Sequence, residues 1–457
     1  MTLKKKLVQA GIAVAACAAM IAAGHHVGTF SKSEQENSPL FFTQKQVLKL
    51  WYTDDAYTDF LNSAAVNYSE LQDQVRVEPE LVSASEYLEQ ISRVSVQDEG
   101  PDLFILSNES LEKAYLAGLA AVIDEENSAL NSEHYHQSSR NAVTYHGKLI
   151  GYPLSFETAA LVYNQTYLEQ LGESSAPTNI DEILEFADGH DAPENVEAFM
   201  RWDVSHIFYN YEFATDALKL GGDAGDDTAQ VDLYNLETIQ GMQIFQNLGQ
   251  FFSIDQSEVS YDSVIRDFID GKLIFTIATT DVVNTLEKAR EEGRFPYAYG
   301  ISEVPDPSAE LTGSALSVTN AVVVNGYSTK QKEAEAFASY LTGDAASSLY
   351  EMTGKMPANR LADLPADRKD KLESFYSCYE ESIPMPKMME TSNFWVYFEI
   401  ALINISDGAD VNTQMRELSE KIMTQVTGET YTEEVIEVPE TEEEVEVDEG
   451  MSDIPQE

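Results

Sequence analysis

The sequence predicts an α/β protein of two lobes, and three observations carry that reading. A chain of 457 residues, 43% apolar and 10% aromatic, exceeds what one hydrophobic core organises, so two lobes or domains are expected. Between residues 47 and 116, apolar runs of strand length alternate with stretches of helical periodicity, which is the pattern of βαβ units. Finally, residues 147–164 hold a polar turn, a short apolar run, Pro153 and then Glu157 among apolar and aromatic neighbours. Pro153 should stop the ladder and hold its neighbour extended. A second β-rich run, Ala159 to Tyr163, follows. This reads as a chain crossing between two lobes, with an acid where a carboxylate is costly unless something pairs or uses it.

Taken in order, Val47 to Trp51 reads as a buried strand. Thr58 to Leu71 reads as an amphipathic helix through Phe60, Leu61, Ala64, Ala65 and Tyr68. Val75 to Val82 is a strand, Ser85 to Val94 a helix, Asp102 to Leu106 a strand, and a helix starts at Ser110. That alternation implies a parallel sheet with helices on both faces. Thr178 is expected to cap a helix with Asp181 in its first turn. Glu237 to Phe251 and Ser260 to Ile269 read as helices, and Lys272 to Ala278 and Ala321 to Val324 as strands. Ser328 with Gln331 suggests a capping box ahead of Ala334, Phe337, Ala338 and Leu341. Asn393 to Ile405 and Val411 to Val426 read as closing helices. From Glu429 on there are thirteen Asp or Glu and no Lys or Arg, a stretch without a packable face that should be disordered.

The N-terminus reads as a targeting segment, with Lys4, Lys5 and Lys6 ahead of an almost uncharged run from Leu7 to Ala23. Val14-Ala15-Ala16-Cys17 resembles a bacterial lipobox, with lipid attached at Cys17. The run stays apolar beyond that cysteine, so an uncleaved anchor, or cleavage after Ala22 or Ala23, are alternatives. Each route puts the bulk of the chain outside the cytoplasm. Cys17 and Cys378 are the only cysteines, so no disulfide framework exists. A formal charge of −51 repels nucleic acid and anionic membrane surfaces. Neither a nucleophile elbow, a zincin helix, a P-loop nor a dinucleotide fingerprint is present, so no enzyme is expected. Asp223, Asp226 and Asp227 lack the spacing of a calcium loop, so no metal and no cofactor are expected.

Ligands of open α/β sheets bind beyond the carboxyl ends of strands. Three clusters lie there: residues 51–55 after the first strand, residues 107–110 after the third, and Thr279-Thr280-Asp281 after the strand ending at Ala278. In this order, the segments resemble the extracellular solute-binding proteins of ABC importers, in the maltose-binding-like carbohydrate family. The first strand ending in Trp51, Gly100-Pro101-Asp102-Leu103-Phe104 and residues 117–124 match the first lobe. Residues 147–164 match the first hinge crossing. Phe268 to Phe275 match a Gly-Lys strand, Ala334 to Gly343 the helix entering the last crossing, and Phe394-Trp395, Ala401 and Asn404 the closing helix. The resemblance spans about residues 45–427.

It implies a type II periplasmic-binding-protein-like fold with three interlobe crossings and a ligand cleft between lobes. The implied divisions are 1–24 as signal peptide or anchor, 25–44 as tether, 45–155 with 300–342 as N-terminal lobe, 156–299 with 343–427 as C-terminal lobe, and 428–457 as tail. A monomer capturing a solute by lobe closure and docking on a membrane permease is the implied function.

By the same resemblance, Trp395 stacks on a sugar ring, and Tyr209 and Tyr211 lie where the family places a further cleft acid and aromatic. Trp51 and Tyr52 border the cleft, and Thr280 and Asp281 complete it. Asp55, Asn108, Glu109 and Glu157 match acceptors for sugar hydroxyls, a task that suits carboxylates because charged acceptors strengthen each bond. Leu106 and Asp281 stand where relatives carry Trp, and Ser110 where they carry Arg. The cradle is thinner in aromatics and more acidic, which leaves a short sugar, an amino sugar or a cationic solute such as a polyamine open. A surface adhesion or glycan-processing protein is the reading from another class.

Overall fold

A computed structural model gives the structure of the protein and describes residues 45–124 and 130–439. Two units are distinguished, Met1–Gln46 and Val47–Glu457, and only Lys45 and Gln46 of the first are among the described residues. Cys17 and the leader therefore lie outside them.

The second unit is built on one sheet. Its early strands are β1 (Gln46–Tyr52), β2 (Val75–Leu81) and β3 (Leu103–Ser107); a small hairpin pairs β4 (Thr144–Tyr145) with β5 (Lys148–Leu149). The middle of the chain gives β6 (Tyr152–Asn164) and β7 (Ala198–Met200), and a second hairpin of β8 (Lys219–Leu220) and β9 (Val231–Asp232). The rest supplies β10 (Leu273–Thr279), β11 (Tyr299–Ser302), β12 (Leu316–Val324), β13 (Met356–Pro357) and β14 (Ile383–Pro384). The main sheet runs β2-β1-β3-β12-β6-β10-β7, with β11 and β13 on β6 and β14 on β12. β1 and β3 are parallel, as the βαβ pattern requires, whereas β12 runs antiparallel to β3 and β6. The sheet is thus mixed rather than parallel throughout.

β6 is the element that organises the lobes. Its first half pairs with β12 and its second half with β10. Tyr152 and Leu154 enter a first core with β1, β3 and the helix Thr58–Leu71. Farther along, Ala159 and Leu161 enter a second core with Trp202, Phe213 and Phe245. Phe156, Ala160 and Val162 enter a third with Phe268, Phe295 and Tyr379. β12 makes the same passage, from Leu316 in the second core to Val322 and Val324 in the first. Between Leu341 and Leu372 the chain passes a third time, through Leu349 and Ala358 in the first core and Tyr350 and Met356 in the third.

Several local expectations are corrected. Pro153 does not stop the ladder: it opposes Ala321 inside a strand that runs unbroken to Asn164. A register shift between Asn320 and Ala321 lies opposite it, and Pro at the second position of a strand forfeits little. Asn179, not Thr178, caps the helix Ile180–Gly189 by accepting from Glu182 N–H, while Thr178 donates to the Glu182 carboxylate. Ser328 forms no capping box, because its Oγ donates to Asp102 at 2.6 Å and Gln331 donates to Gly326 O. The described part of the tail is packed as far as Val438: Ile436 N–H donates to the Tyr234 hydroxyl, Asn412 donates to Ile436 O, and Ile436 and Val438 lie on the second core. Two isolated apolar residues in an acidic run are enough to dock it, where composition alone implied none.

Candidate ligand-binding cleft

Side chains alternate along a strand, so Ser155 and Glu157 leave β6 on one face and Phe156 on the other. Phe156 stacks on Tyr379 at 3.9 Å and 7°, which fixes that face as packed interior. On the opposite face Ser155, Glu157 and Asn320 line a cavity of about 250 Å³ with Thr280, Asp281, Asn284 and Lys355. Asn320 is also a wall of a neighbouring cavity of about 390 Å³, which Asp54, Tyr57, Tyr87 and Glu109 help to line. The two cavities therefore flank one residue of a crossing strand.

Glu157 reaches cleft solvent, yet the surrounding protein strips enough water from it to raise its pKa. The negative charge of Asp281 adds to that rise and Lys355 opposes it. Asp281 accepts from the Tyr261 hydroxyl at 2.9 Å and from Thr279 Oγ1 at 2.6 Å. The Tyr261 ring lies on Tyr209 at 5.0 Å and 4°. From Tyr209 the aromatic run continues to His206 at 5.4 Å, and His206 meets Trp395 edge-on at 5.3 Å. The indole N–H of half-buried Trp395 donates to Glu399 at 2.8 Å. An aromatic run thus leads from half-buried Trp395 through buried Tyr209 to Asp281, which lines the same cavity as Glu157. Such a run suits the C–H face of a polyhydroxylated ring, with carboxylates at one end for its hydroxyls.

The facing wall carries an ion pair. Asp54 caps its own 3₁₀ turn by accepting from Ala56 N–H and pairs with Lys355 at 2.8 Å. The Lys355 ammonium lies 5.3 Å from the Tyr57 ring centre, and the Tyr57 hydroxyl is 2.5 Å from Ser155 Oγ. Lys355 is thereby held at the mouth of the cavity that Glu157 lines.

Of the sequence-predicted residues, Glu109, Glu157, Thr280 and Asp281 line these cavities, and Tyr209 and Trp395 lie on the aromatic run. Five others are elsewhere. Trp51 is buried and donates to Glu80, and buried Tyr52 donates to Thr58. Strand alternation and the turn after β1 leave the cleft to Asp54, while Asp55 lies exposed and lines neither cavity. Asn108 is fully buried, accepting from Thr319 N–H and donating to Met385 O, so it ties β3 to the crossing chain instead. Tyr211 is buried against Phe398.

Sequence reasoning missed Tyr57, Asn320, Lys355, His206 and Tyr261. The one readable signal was the basic Lys355 after Gly354, in a chain with few cations. In the Gly-rich loop, Asp226 accepts from His146 N–H, and Asp227 from Ala229 N–H and the Gln230 side chain. Among the described residues no helix is long and apolar enough to cross a membrane.

A family model described as bacterial extracellular solute-binding protein matches residues 63–373. The maltotriose-binding protein of Pyrococcus abyssi is 28% identical over 176 residues, 38% of this chain, and the match spans 36% of that protein's length. The maltodextrin-binding protein MdxE of Bacillus subtilis is 22% identical over 389 residues, 84% of this chain and 90% of that protein. Among solved structures, a cyclo/maltodextrin-binding protein complexed with maltotetraose superposes with a TM-score of 0.71 at 20% identity, over 85% of this chain and 99% of that one. An extracellular solute-binding protein from Staphylococcus aureus in complex with maltose gives 0.72 at 20% identity, over 84% and 98%. The fold is therefore the two-lobed, type II periplasmic-binding arrangement.

Proposed function

Since this chain belongs to the bacterial extracellular solute-binding proteins, we propose that it captures a carbohydrate between its lobes and delivers it to the membrane permease of an ABC importer. The observation that carries this reading is the aromatic run from Trp395 through His206, Tyr209 and Tyr261 to the Asp281 carboxylate, which lines one cavity with Glu157. The names of the relatives, maltotriose- and maltodextrin-binding, support the same class of ligand. Glu157 acts as an acceptor for sugar hydroxyls rather than as a catalytic acid, and the ligand leaves chemically unchanged. Lobe closure about β6 and β12 completes the site. The protein is held outside the cytoplasm through lipid on Cys17 or through its apolar leader, which radiolabelled palmitate incorporation in wild type and Cys17→Ala distinguishes.

Isothermal titration with maltose, maltotriose, maltotetraose, glucose and glucosamine tests the proposal. Saturable binding of at least one sugar that weakens in Trp395→Ala is the expected result. A second reading is favoured by the acidic groups Asp54, Glu109, Glu157 and Asp281 on the cleft walls. Silence across the sugars with tight binding of a polyamine would replace the first reading with that one.

A further inference from the structure

The cleft holds a cation that the sugar reading does not use. Among the described residues lining the Glu157 cavity, Lys355 is the one cation. Two carboxylates line that cavity and four line its neighbour, where the ammonium of Lys113 is taken up by Glu89 at 2.6 Å. Walls of this charge draw ammonium groups from solution. The backbone puts one of its own there instead. The helix Leu349–Thr353 ends at Gly354, whose φ of 74° suits glycine, and the chain turns sharply. Met356 then pairs with Phe156 on the packed face of the sheet, so Lys355, one residue earlier, turns to the cleft.

The surroundings of this ammonium are those of a ligand site. It lies 2.8 Å from the Asp54 carboxylate and 5.3 Å from the centre of the Tyr57 ring, and the Tyr57 hydroxyl is fixed to Ser155 Oγ at 2.5 Å. A carboxylate beside an aromatic face is a recurrent way of holding an ammonium ligand. Lys355 also opposes the burial and the Asp281 charge that raise the Glu157 pKa, so its field reaches the acceptor proposed for sugar hydroxyls. Stability does not account for the pair. Both partners are partly exposed, and an ion pair of that kind contributes little to folding.

We propose that Lys355 determines which ligands the cleft accepts: its ammonium fills the box made by Asp54 and Tyr57 in place of a ligand's ammonium, so the cleft turns away polyamines and protonated amino sugars and is left to neutral solutes. This rests on the reading above in taking the cleft as the ligand site. Isothermal titration of the full chain with spermidine and with maltotriose tests it, in about 0.15 M salt to screen attraction to the acidic surface. Wild type and Lys355→Arg should show no saturable spermidine binding. Lys355→Met, which keeps the stem over Tyr57, should gain one site per chain, at least about tenfold tighter than any wild-type binding. Lys355→Gln should gain the same site and replaces the Met variant should that one fail to fold. Adding Asp54→Asn, which preserves an acceptor for Ala56 N–H, should remove the gain. Spermidine held as tightly by wild type or Lys355→Arg as by Lys355→Met overturns the proposal. So does a folded variant that gains nothing, or a gain that survives Asp54→Asn. Maltotriose separates this outcome from the sugar reading. Wild type that binds it beside variants that gain nothing removes the proposal and keeps that reading, whereas variants that gain spermidine beside a wild type silent to sugars keep the exclusion by Lys355 and remove the reading.

Discussion

Replacing Glu212 by Met should flatten the dependence of stability on pH. Glu212 lies in the turn Tyr211–Ala214, is fully buried, and neither carboxyl oxygen has a hydrogen-bond partner among the described residues. Burial alone lifts its pKa from an ordinary 4.5 to about 8, with its own backbone N–H opposing slightly. The sign follows from which state holds the proton. Between pH 4.5 and 8 the folded carboxyl keeps its proton while the unfolded one gives it up, so stability is lost as pH rises through that window. Each full pH unit inside it costs about 1.4 kcal/mol, so the loss between pH 5 and pH 8 is a little under about 4 kcal/mol, the ends of the window being only partly titrated. Met keeps the length, removes the titration and leaves no buried polar atom unsatisfied. Urea unfolding of both proteins at pH 5 and pH 8 measures the difference. Groups other than residue 212 are common to both proteins and cancel in the comparison. Equal pH dependence in wild type and variant, within about 0.5 kcal/mol, would refute the assignment of a neutral, unpartnered acid at this position.

Other perturbations separate the cleft from its supports. Glu157→Gln should weaken sugar binding about tenfold by titration calorimetry, as a charged acceptor becomes a neutral one, with little change in melting temperature. Because burial and then Asp281 raise the Glu157 pKa, wild-type affinity should start to fall on acidification at a higher pH than for an ordinary glutamate, and Glu157→Gln should not show that fall. Asn108→Ala should lower unfolding free energy by about 3 kcal/mol, because it strands Thr319 N–H and Met385 C=O in the interior; chemical denaturation reads this out. Phe156→Ala removes the ring stacked on Tyr379 and should cost about 3–5 kcal/mol by the same measurement.

The residues that were legible and those that were not differ in a physical way. Period and punctuation carried the elements: alternation around Leu48 and Leu50, helical spacing through Phe60 and Ala64, and the acid at Glu157 all survive in the structure. What fails is assigning side chains to a surface that two distant segments make together. Trp51 and Tyr52 sit at the right end of β1, yet Glu80 and Thr58 satisfy their polar atoms locally and both rings join the first core. Asn108 occupies an edge that β12 covers, so its amide is used on backbone rather than on a ligand. Conversely, Lys355 has no periodic signature, because what places it is the αL turn at Gly354 and the arrival of Asp54 from some three hundred residues earlier. Proximity to a strand end says where a site can be. Only the pairing of β6 with β12 decides which side chains face the cleft, and it puts Ser155, Glu157 and Asn320 together on that wall.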